Sequence, residues 1–237
     1  MQALDITVVM PALNEESAIK DAVESTFQSF KKLSLKGEII VVNDGSRDRT
    51  KETVASLIDR HGQYLRILNH DMPQGMGRSF WDGARLARGE SVTLLPGDNE
   101  NNPDEILRYA GLTKNVDMVV PFVVNKNVRP FSRRILSMLF TKIINFSFRT
   151  SFKYTNGTVI YRTSVIKDIV CRSNGFFFQA ETLIRLAKKG ALAAEVPYFL
   201  SERKGGESKA VKFSSFIKVC GDYIRLLRDI YLPGGKR

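Results

Sequence analysis

Between residues 6 and 124 short β-branched runs alternate with helical patterns, and no other feature of the 237-residue chain restricts its fold as much. Strands are expected at 6–10, 38–42, 65–68, 91–95 and 117–124, with helices at 16–30, 48–60, 76–87 and 103–112. Strands separated by helices of this length build βαβ units. The expected fold class is therefore α/β, a Rossmann-like, mostly parallel central sheet flanked by helices. Turn residues cluster after three of the strands, at 11–15, 43–47 and 97–102. Loops at the carboxyl ends of parallel strands line the ligand crevice, so three polar loops converge on one edge.

The second half is patterned differently. In 131–149, Phe131, Ile135, Leu139 and Ile143 form one row and Leu136, Phe140, Ile144 and Phe148 the next, with Arg134, Ser137, Thr141 and Asn145 opposite. The segment 211–231 repeats the arrangement with Phe213, Phe216, Ile217, Cys220, Ile224, Leu227 and Tyr231, and places Lys218, Asp222, Arg225 and Asp229 opposite. Two readings stand side by side: ordinary core-packing helices, or amphipathic helices lying in a membrane interface with basic residues toward the headgroups.

Charge separates the halves. Residues 1–125 hold 14 Lys and Arg against 18 Asp and Glu, a net of −4, whereas residues 126–237 hold 22 against 7, a net of +15. Such asymmetry calls for a polyanionic partner, a nucleic acid or an anionic membrane. The basic half lacks the interleaved aromatics of a reader of RNA or single strands, so no nucleic acid is expected. Hydrophobic residues at 43% and charged residues at 26% suit one sizeable globular core. The amino terminus shows no basic region leading into an apolar stretch, and no apolar run reaches the length of about 18 residues that spans a bilayer. Cys171 and Cys220 match no metal spacing or redox pair and read as reduced thiols in a cytosolic protein. His61 and His70 are too few for a zinc site.

Carboxylates gathered on one crevice repel one another unless positive charge sits between them. Asp98 and Glu100, in the run PGDNENNP, are hard oxygen donors at a spacing that suits Mg2+ or Mn2+ bridging a ligand's phosphates. Each acid also has a plainer reading. Asp44 in VVNDGS is a turn residue, and Glu15 is a first-turn carboxylate favoured by the helix dipole.

The ordered set is more specific than its members. ITVVMPALNEE, then EIIVVNDGSRDRT, then QGMGRSFWDGARLARGE, then VTLLPGDNENNPDEI resembles the nucleotide-sugar domain of family 2 glycosyltransferases. The later segments SRRILSMLFTKIINFSFRTSFKYTNGTVIYRTSVI, GFFFQAETLIRLAKKGALAAEVPYFLSER and GGESKA are similar to dolichyl-phosphate mannose synthases and related polyprenyl-phosphate sugar transferases. The resemblance covers roughly residues 5–215. It implies the GT-A fold with C-terminal amphipathic interface helices. Residues 1–125 would be the nucleotide-sugar-binding half of a single domain, and 126–237 the acceptor-binding, membrane-facing half.

Roles follow from the same resemblance. Pro11, Leu13, Glu15, Val42 and Asp44 are expected around the nucleotide, Asp44 accepting from the base, with Gly97 and Asp98 completing the donor site. Asp98 matches the second acid of the family's DxD motif and Glu100 a metal ligand two positions on, which makes Mg2+ or Mn2+ the expected cofactor. Arg133, Arg134, Arg203 and Lys209 match basic positions that gather phosphates, and Gln179 and Ser208 join them around the acceptor. Asp98, Arg133 and Glu181 are the expected catalytic residues. There are departures: Pro96 replaces the first DxD acid, Asn43 the first acid of the DDGS turn, and Lys153 lies near an acidic position of the family. Asn99 or water is left to complete the metal shell.

The expected activity is inverting transfer of a hexose-type sugar from a nucleoside diphosphate sugar to a polyprenyl phosphate at the membrane surface. Two alternatives are a transferase to a hydroxyl acceptor with Glu181 as general base, and a catalytically silent GT-A binding protein. The expected location is cytoplasmic and peripheral, on the inner face of a membrane, with a membrane partner protein or a second copy as a further partner.

Overall fold

The computed structural model describes residues 3–200 and 213–232, with side chains omitted for 213–216. Strand β1 (Leu4–Ala12) leads through α1 (Ile19–Lys32), β2 (Gly37–Asn43), α2 (Thr50–His61), β3 (Leu65–Asn69), α3 (Met76–Arg85) and β4 (Gly89–Leu94). Then come α4 (Pro103–Leu107), β5 (Met118–Val123), α5 (Phe131–Phe148), β6 (Ile160–Arg162), α6 (Thr163–Lys167), α7 (Phe178–Lys188), β7 (Ala193–Tyr198) and α8 (Phe213–Tyr231). The seven strands form one sheet in the order β3-β2-β1-β4-β6-β5-β7.

Every expected strand is present, with small shifts at the ends. Helix α1 starts at Ile19 rather than at residue 16, because the preceding residues are used to tie two loops together. The helix expected at 103–112 divides into α4 and a 3-10 turn at Ala110–Lys114.

Strand β1 is buried on both faces, which is why it reads as an unbroken apolar run. On one side Ile6, Val8 and Met10 pack with α1, α2 and α4 through Ile19, Val23, Val54 and Ile106. On the other, Val9, Ile40 and Val42 meet α3, α6 and α7 through Phe80, Trp81, Ile166 and Phe178. Each such side chain, fully buried, contributes about 1.5–3 kcal/mol.

β1, β2, β3 and β4 are parallel neighbours. β6 runs the other way between β4 and β5, pairing Ser91 with Arg162 and Met118 with Tyr161. Two reversals leave β5 pointing the same way as β4, so the ends of β1, β2, β4 and β5 open on a single edge.

At the opposite edge Glu38, fully buried, accepts from Thr7 Oγ1 at 2.8 Å, Arg66 Nη2 at 2.9 Å and Arg88 Nε at 2.7 Å. Burial opposes its ionisation, but Arg88, Thr7 and Arg66 together hold the carboxyl below its ordinary value.

A third cluster joins Ile144 and Phe148 of α5, Phe177, Ala180 and Ile184 around α7, and Leu226 of α8. Helix α5 is thus buried along one row only. Phe131, Leu136, Met138, Leu139, Ile143 and Phe146 stay exposed, Phe146 at 90%. Among the described residues no helix is long and apolar enough to cross a membrane.

Candidate active site

The edge loops hang from consecutive residues of β1. The Asp44 amide donates to Ala12 O at 2.8 Å and the Gly97 amide to Pro11 O at 3.0 Å, while Pro11 stands beside Val42 in the β1–β2 register. Packing around Gly97 is close: a Cβ there would lie 2.6 Å from Ile19 Cδ1 and 3.2 Å from Ala12 Cβ, so Ile19 would have to move to admit one. Pro11, Val42, Asp44, Gly97 and Asp98 are therefore brought to one rim, with Leu13 and Glu15 half-buried on the adjoining loop.

Loops 13–16 and 44–50 are stitched reciprocally. The Asn14 amide donates to Ser46 Oγ at 3.0 Å and the Arg47 amide to Asn14 Oδ1 at 2.9 Å. The Glu15 amide donates to Thr50 Oγ1 at 2.9 Å, and Asp48 accepts from the Glu16 amide at 3.1 Å and the Thr50 amide at 3.0 Å. Asn14 adopts a positive φ of 57°, a conformation asparagine tolerates. Desolvation works against the Asp48 carboxylate, and the Thr50 hydroxyl and nearby amides overcome it, so its pKa is lowered.

Asp44 is buried, and its carboxylate is engaged from within the protein. Oδ1 lies 2.7 Å from His70 Nδ1 and accepts from the Gln74 amide at 2.8 Å, while Oδ2 accepts from the Gly75 amide at 2.9 Å. His70 Nε2 faces Asp82 Oδ2 at 3.3 Å, and Asp82 is itself held by Arg78 and Arg85. Asp44 thus fastens the loop that leads from β3 into α3. Sequence reasoning passed over His70, which lies 26 residues away and comes near Asp44 only through the β2–β3 pairing.

The start of α3 is held from its other side by residues 173–175. Asn174 O accepts from the Gly77 amide at 2.8 Å, and a Cβ on Gly75 (φ 100°) would lie 2.5 Å from that oxygen. Glu181, 2% exposed, keeps this segment in place by accepting from the Arg172 amide at 3.1 Å and the Ser173 amide at 2.8 Å. Arg185 binds the same carboxylate at 2.7 Å and reaches Asp229 of α8 at 2.5 Å. Burial opposes the charge on Glu181, but Cys171, Ser173 and Arg185 outweigh it and hold the carboxyl below its ordinary value. Burial and the adjacent Glu181 push the Cys171 thiol up to about 12.

In the acidic loop, Asp98 is half-buried and accepts from the Glu100 amide at 3.1 Å; Asn99 takes a positive φ of 54°. Two carboxylates with amide oxygens beside them fit a hard cation that keeps waters and shares its shell with a ligand's phosphates. No three His, Cys, Asp or Glu side chains gather as a metal cluster among the described residues.

Arg133 and Arg134 lie half-exposed on the first turn of α5, Arg134 packed over the Phe131 ring at 5.3 Å. Gln179 is half-buried on the first turn of α7. Arg203, Ser208 and Lys209 lie outside the described residues.

Residues 7–170 match glycosyl transferase family 2. The dodecaprenyl-phosphate galacturonate synthase of Rhizobium johnstonii is 27% identical over 71% of this chain and 51% of its own. The undecaprenyl-phosphate 4-deoxy-4-formamido-L-arabinose transferase of Edwardsiella ictaluri is 28% identical over 86% of this chain and 62% of its own. The chain spans about half to two thirds of the length of these relatives. Glucosyl-3-phosphoglycerate synthase of Mycobacterium tuberculosis, solved with Mg2+ and uridine diphosphate, superposes with a TM-score of 0.69 at 16% identity, covering 94% of this chain and 79% of that one. That likeness establishes the fold, which is GT-A.

Proposed function

We propose that this chain, which belongs to glycosyl transferase family 2, transfers a hexose-type sugar from a nucleoside diphosphate sugar to a polyprenyl phosphate, inverting the anomeric centre. The observation that carries the reading is the hanging of the Asp44 and Gly97 loops on Ala12 and Pro11, 2.8 and 3.0 Å from their carbonyls. It supports the reading because the two loops share one rim, where the nucleotide and diphosphate ends of a donor could both be met.

The donor's base and ribose lie along Pro11, Leu13, Glu15 and Val42, with its diphosphate toward Gly97 and Asp98. Asp44 holds the pocket's wall through His70, Gln74 and Gly75. Asp98 and Glu100 are the residues that would hold Mg2+ or Mn2+. When bound, the ion supplies Lewis-acid stabilisation of the leaving group.

A phosphate oxygen of the acceptor attacks the anomeric carbon, the bond to the diphosphate breaks, and the nucleoside diphosphate departs. The attacking group is already anionic, so no general base is required. Glu181 suits this chemistry as a positioning residue: its carboxylate is buried, ionised and engaged by Arg185 and two amides. Arg133 and Arg134, with Arg203 and Lys209, supply positive charge around the phosphates, and Gln179 and Ser208 shape the acceptor side.

The exposed row of α5 meets the bilayer at headgroup depth, which brings the protein to its lipid acceptor as a peripheral protein of the inner face. Apolar area buried in the interface and basic residues near anionic lipid both contribute.

The test is transfer of label from a panel of nucleotide sugars to extractable polyprenyl phosphate, with and without Mg2+, Mn2+ and chelator. Label on a soluble hydroxyl acceptor, with none on the lipid phosphate, would sink the reading.

A further inference from the structure

At the carboxyl end of β5 a cleft of about 480 Å³ is lined by Phe122, Val123, Val124, Lys126, Lys153 and Tyr154. Its two lysines are exposed. Lys153 Nζ rests 4.3 Å from the Phe122 ring centroid, and Arg129 Nη1 reaches Tyr154 OH at 3.1 Å from the neighbouring loop. The carboxylate of Glu195 stands close by, where it accepts from the Lys153 backbone amide at 2.6 Å.

The topology puts this cleft beside the donor rim. β5 points the same way as β4, and the chain entering β6 fills the space between them, Thr93 Oγ1 donating to Val159 O at 3.0 Å. The cleft therefore opens on the edge that carries Asp98. Its wall is apolar and its rim cationic. Beyond it the chain continues through exposed Val124 and Val128 to Phe131, where the exposed row of α5 begins.

We propose that this cleft holds the phosphate end of a prenyl monophosphate, with Lys126 and Lys153 on the phosphate oxygens, the first isoprene unit on Phe122 and Val124, and the remaining chain running along α5. The inference rests on the acceptor class proposed above and assigns it residues that the family resemblance does not. An ammonium resting on an aromatic face at the mouth of an apolar cleft, as Lys153 does on Phe122, keeps its donors free to face an anion. The apolar wall accounts for a preference for a prenyl phosphate over inorganic phosphate.

The test is calorimetric titration of the full chain with a short, water-soluble prenyl monophosphate, with the matching prenyl alcohol and with inorganic phosphate. The monophosphate binds; the alcohol and inorganic phosphate bind at least tenfold more weakly. The double variant Lys126→Gln/Lys153→Gln loses about tenfold or more in affinity for the monophosphate, as expected for the loss of two charge-assisted contacts, and Lys153→Arg restores part of it. Lys51→Gln, on the far helix α2, changes nothing. Unchanged binding in the double variant overturns the assignment, as does equal binding of inorganic phosphate or no binding by the unaltered protein. Transfer by the unaltered protein to long-chain polyprenyl phosphate is scored separately. A protein that transfers sugar while its double variant binds normally keeps its function and loses this site.

Discussion

The Ser173 amide donates to Glu181 Oε2 at 2.8 Å, and the residue after it, Asn174, accepts from the Gly77 amide at 2.8 Å. Between them these bonds connect a buried carboxylate of α7 to the first turn of α3. Arg185 extends the connection to Asp229 on α8. Glu181→Gln is expected to cost about 3–5 kcal/mol of stability, the range for breaking a buried ion pair. Donor affinity should fall while the shape of the pH–rate profile is kept. Loss of an ionisation from that profile would mean that Glu181 handles a proton.

The contact between His70 Nδ1 and Asp44 Oδ1 at 2.7 Å predicts a split between binding and turnover. His70→Ala should raise the donor KM several-fold with kcat little changed, and His70→Asn, which keeps a donor near the Nδ1 position, should recover much of the loss. Steady-state kinetics with donor varied at saturating acceptor separates the two effects.

At the acidic loop, Asp98→Ala should reduce turnover by on the order of a hundredfold, the scale of losing one preorganised electrostatic stabiliser. Glu100→Gln should instead raise the metal concentration needed for half-maximal rate. Identical metal titration curves for both variants and the unaltered protein would place the ion elsewhere.

Glu38 sets a direction for the pH dependence of stability. Its folded pKa is lowered below the unfolded value. Its contribution is thus fully present above the unfolded pKa and lost as pH falls through the folded one. Denaturant titrations should show stability declining on acidification below the ordinary glutamate range. Glu38→Gln should flatten that decline and cost about 3–5 kcal/mol at neutral pH, since Arg66 and Arg88 lose their buried partner.

For the membrane, cosedimentation with anionic vesicles should weaken as salt rises and be poor with neutral lipid, because each basic residue near the surface contributes about 1 kcal/mol, screened by ions. Charge reversal at Arg133, Arg225 and Arg228 should weaken it further with donor binding intact. Replacing Leu139, Ile143 and Phe146 by serine should also reduce binding. Indifference to all of these changes would remove α5 from the interface.

Strands β1 and β2 are legible in the sequence because both of their faces are covered and their β-branched runs are nearly continuous, while β3, β4 and β5 are marked by shorter apolar runs between helical patterns. The three polar loops follow from them. β6 is only three residues long and is held as much by its neighbours as by its own pattern, and edge strand β7 (AAEVPY) carries little β-branched signal. Both escape a reading based on periodicity. The partners of Asp44 escape for another reason. Two are backbone amides and the third, His70, becomes adjacent only when β3 pairs with β2, so a resemblance that assigns Asp44 to the nucleotide base cannot reveal them. Helix α5 holds a mixture: Ile144 and Phe148 are buried as a core-packing helix requires, while Leu136, Leu139 and Phe146 are not. Both faces are apolar, and composition alone cannot tell which one meets the protein.

The reversed strand β6 also governs how the molecule is made. As the chain leaves the ribosome, at about 5–20 residues per second, β4 and β5 are released with the slot between them empty. Each then presents a row of unpaired backbone groups, a ready template for pairing with another nascent chain. The slot closes only when Ile160–Arg162 has been translated and threaded between them. A gene divided after codon 125 would leave both fragments with open edges, soluble only once they had found each other.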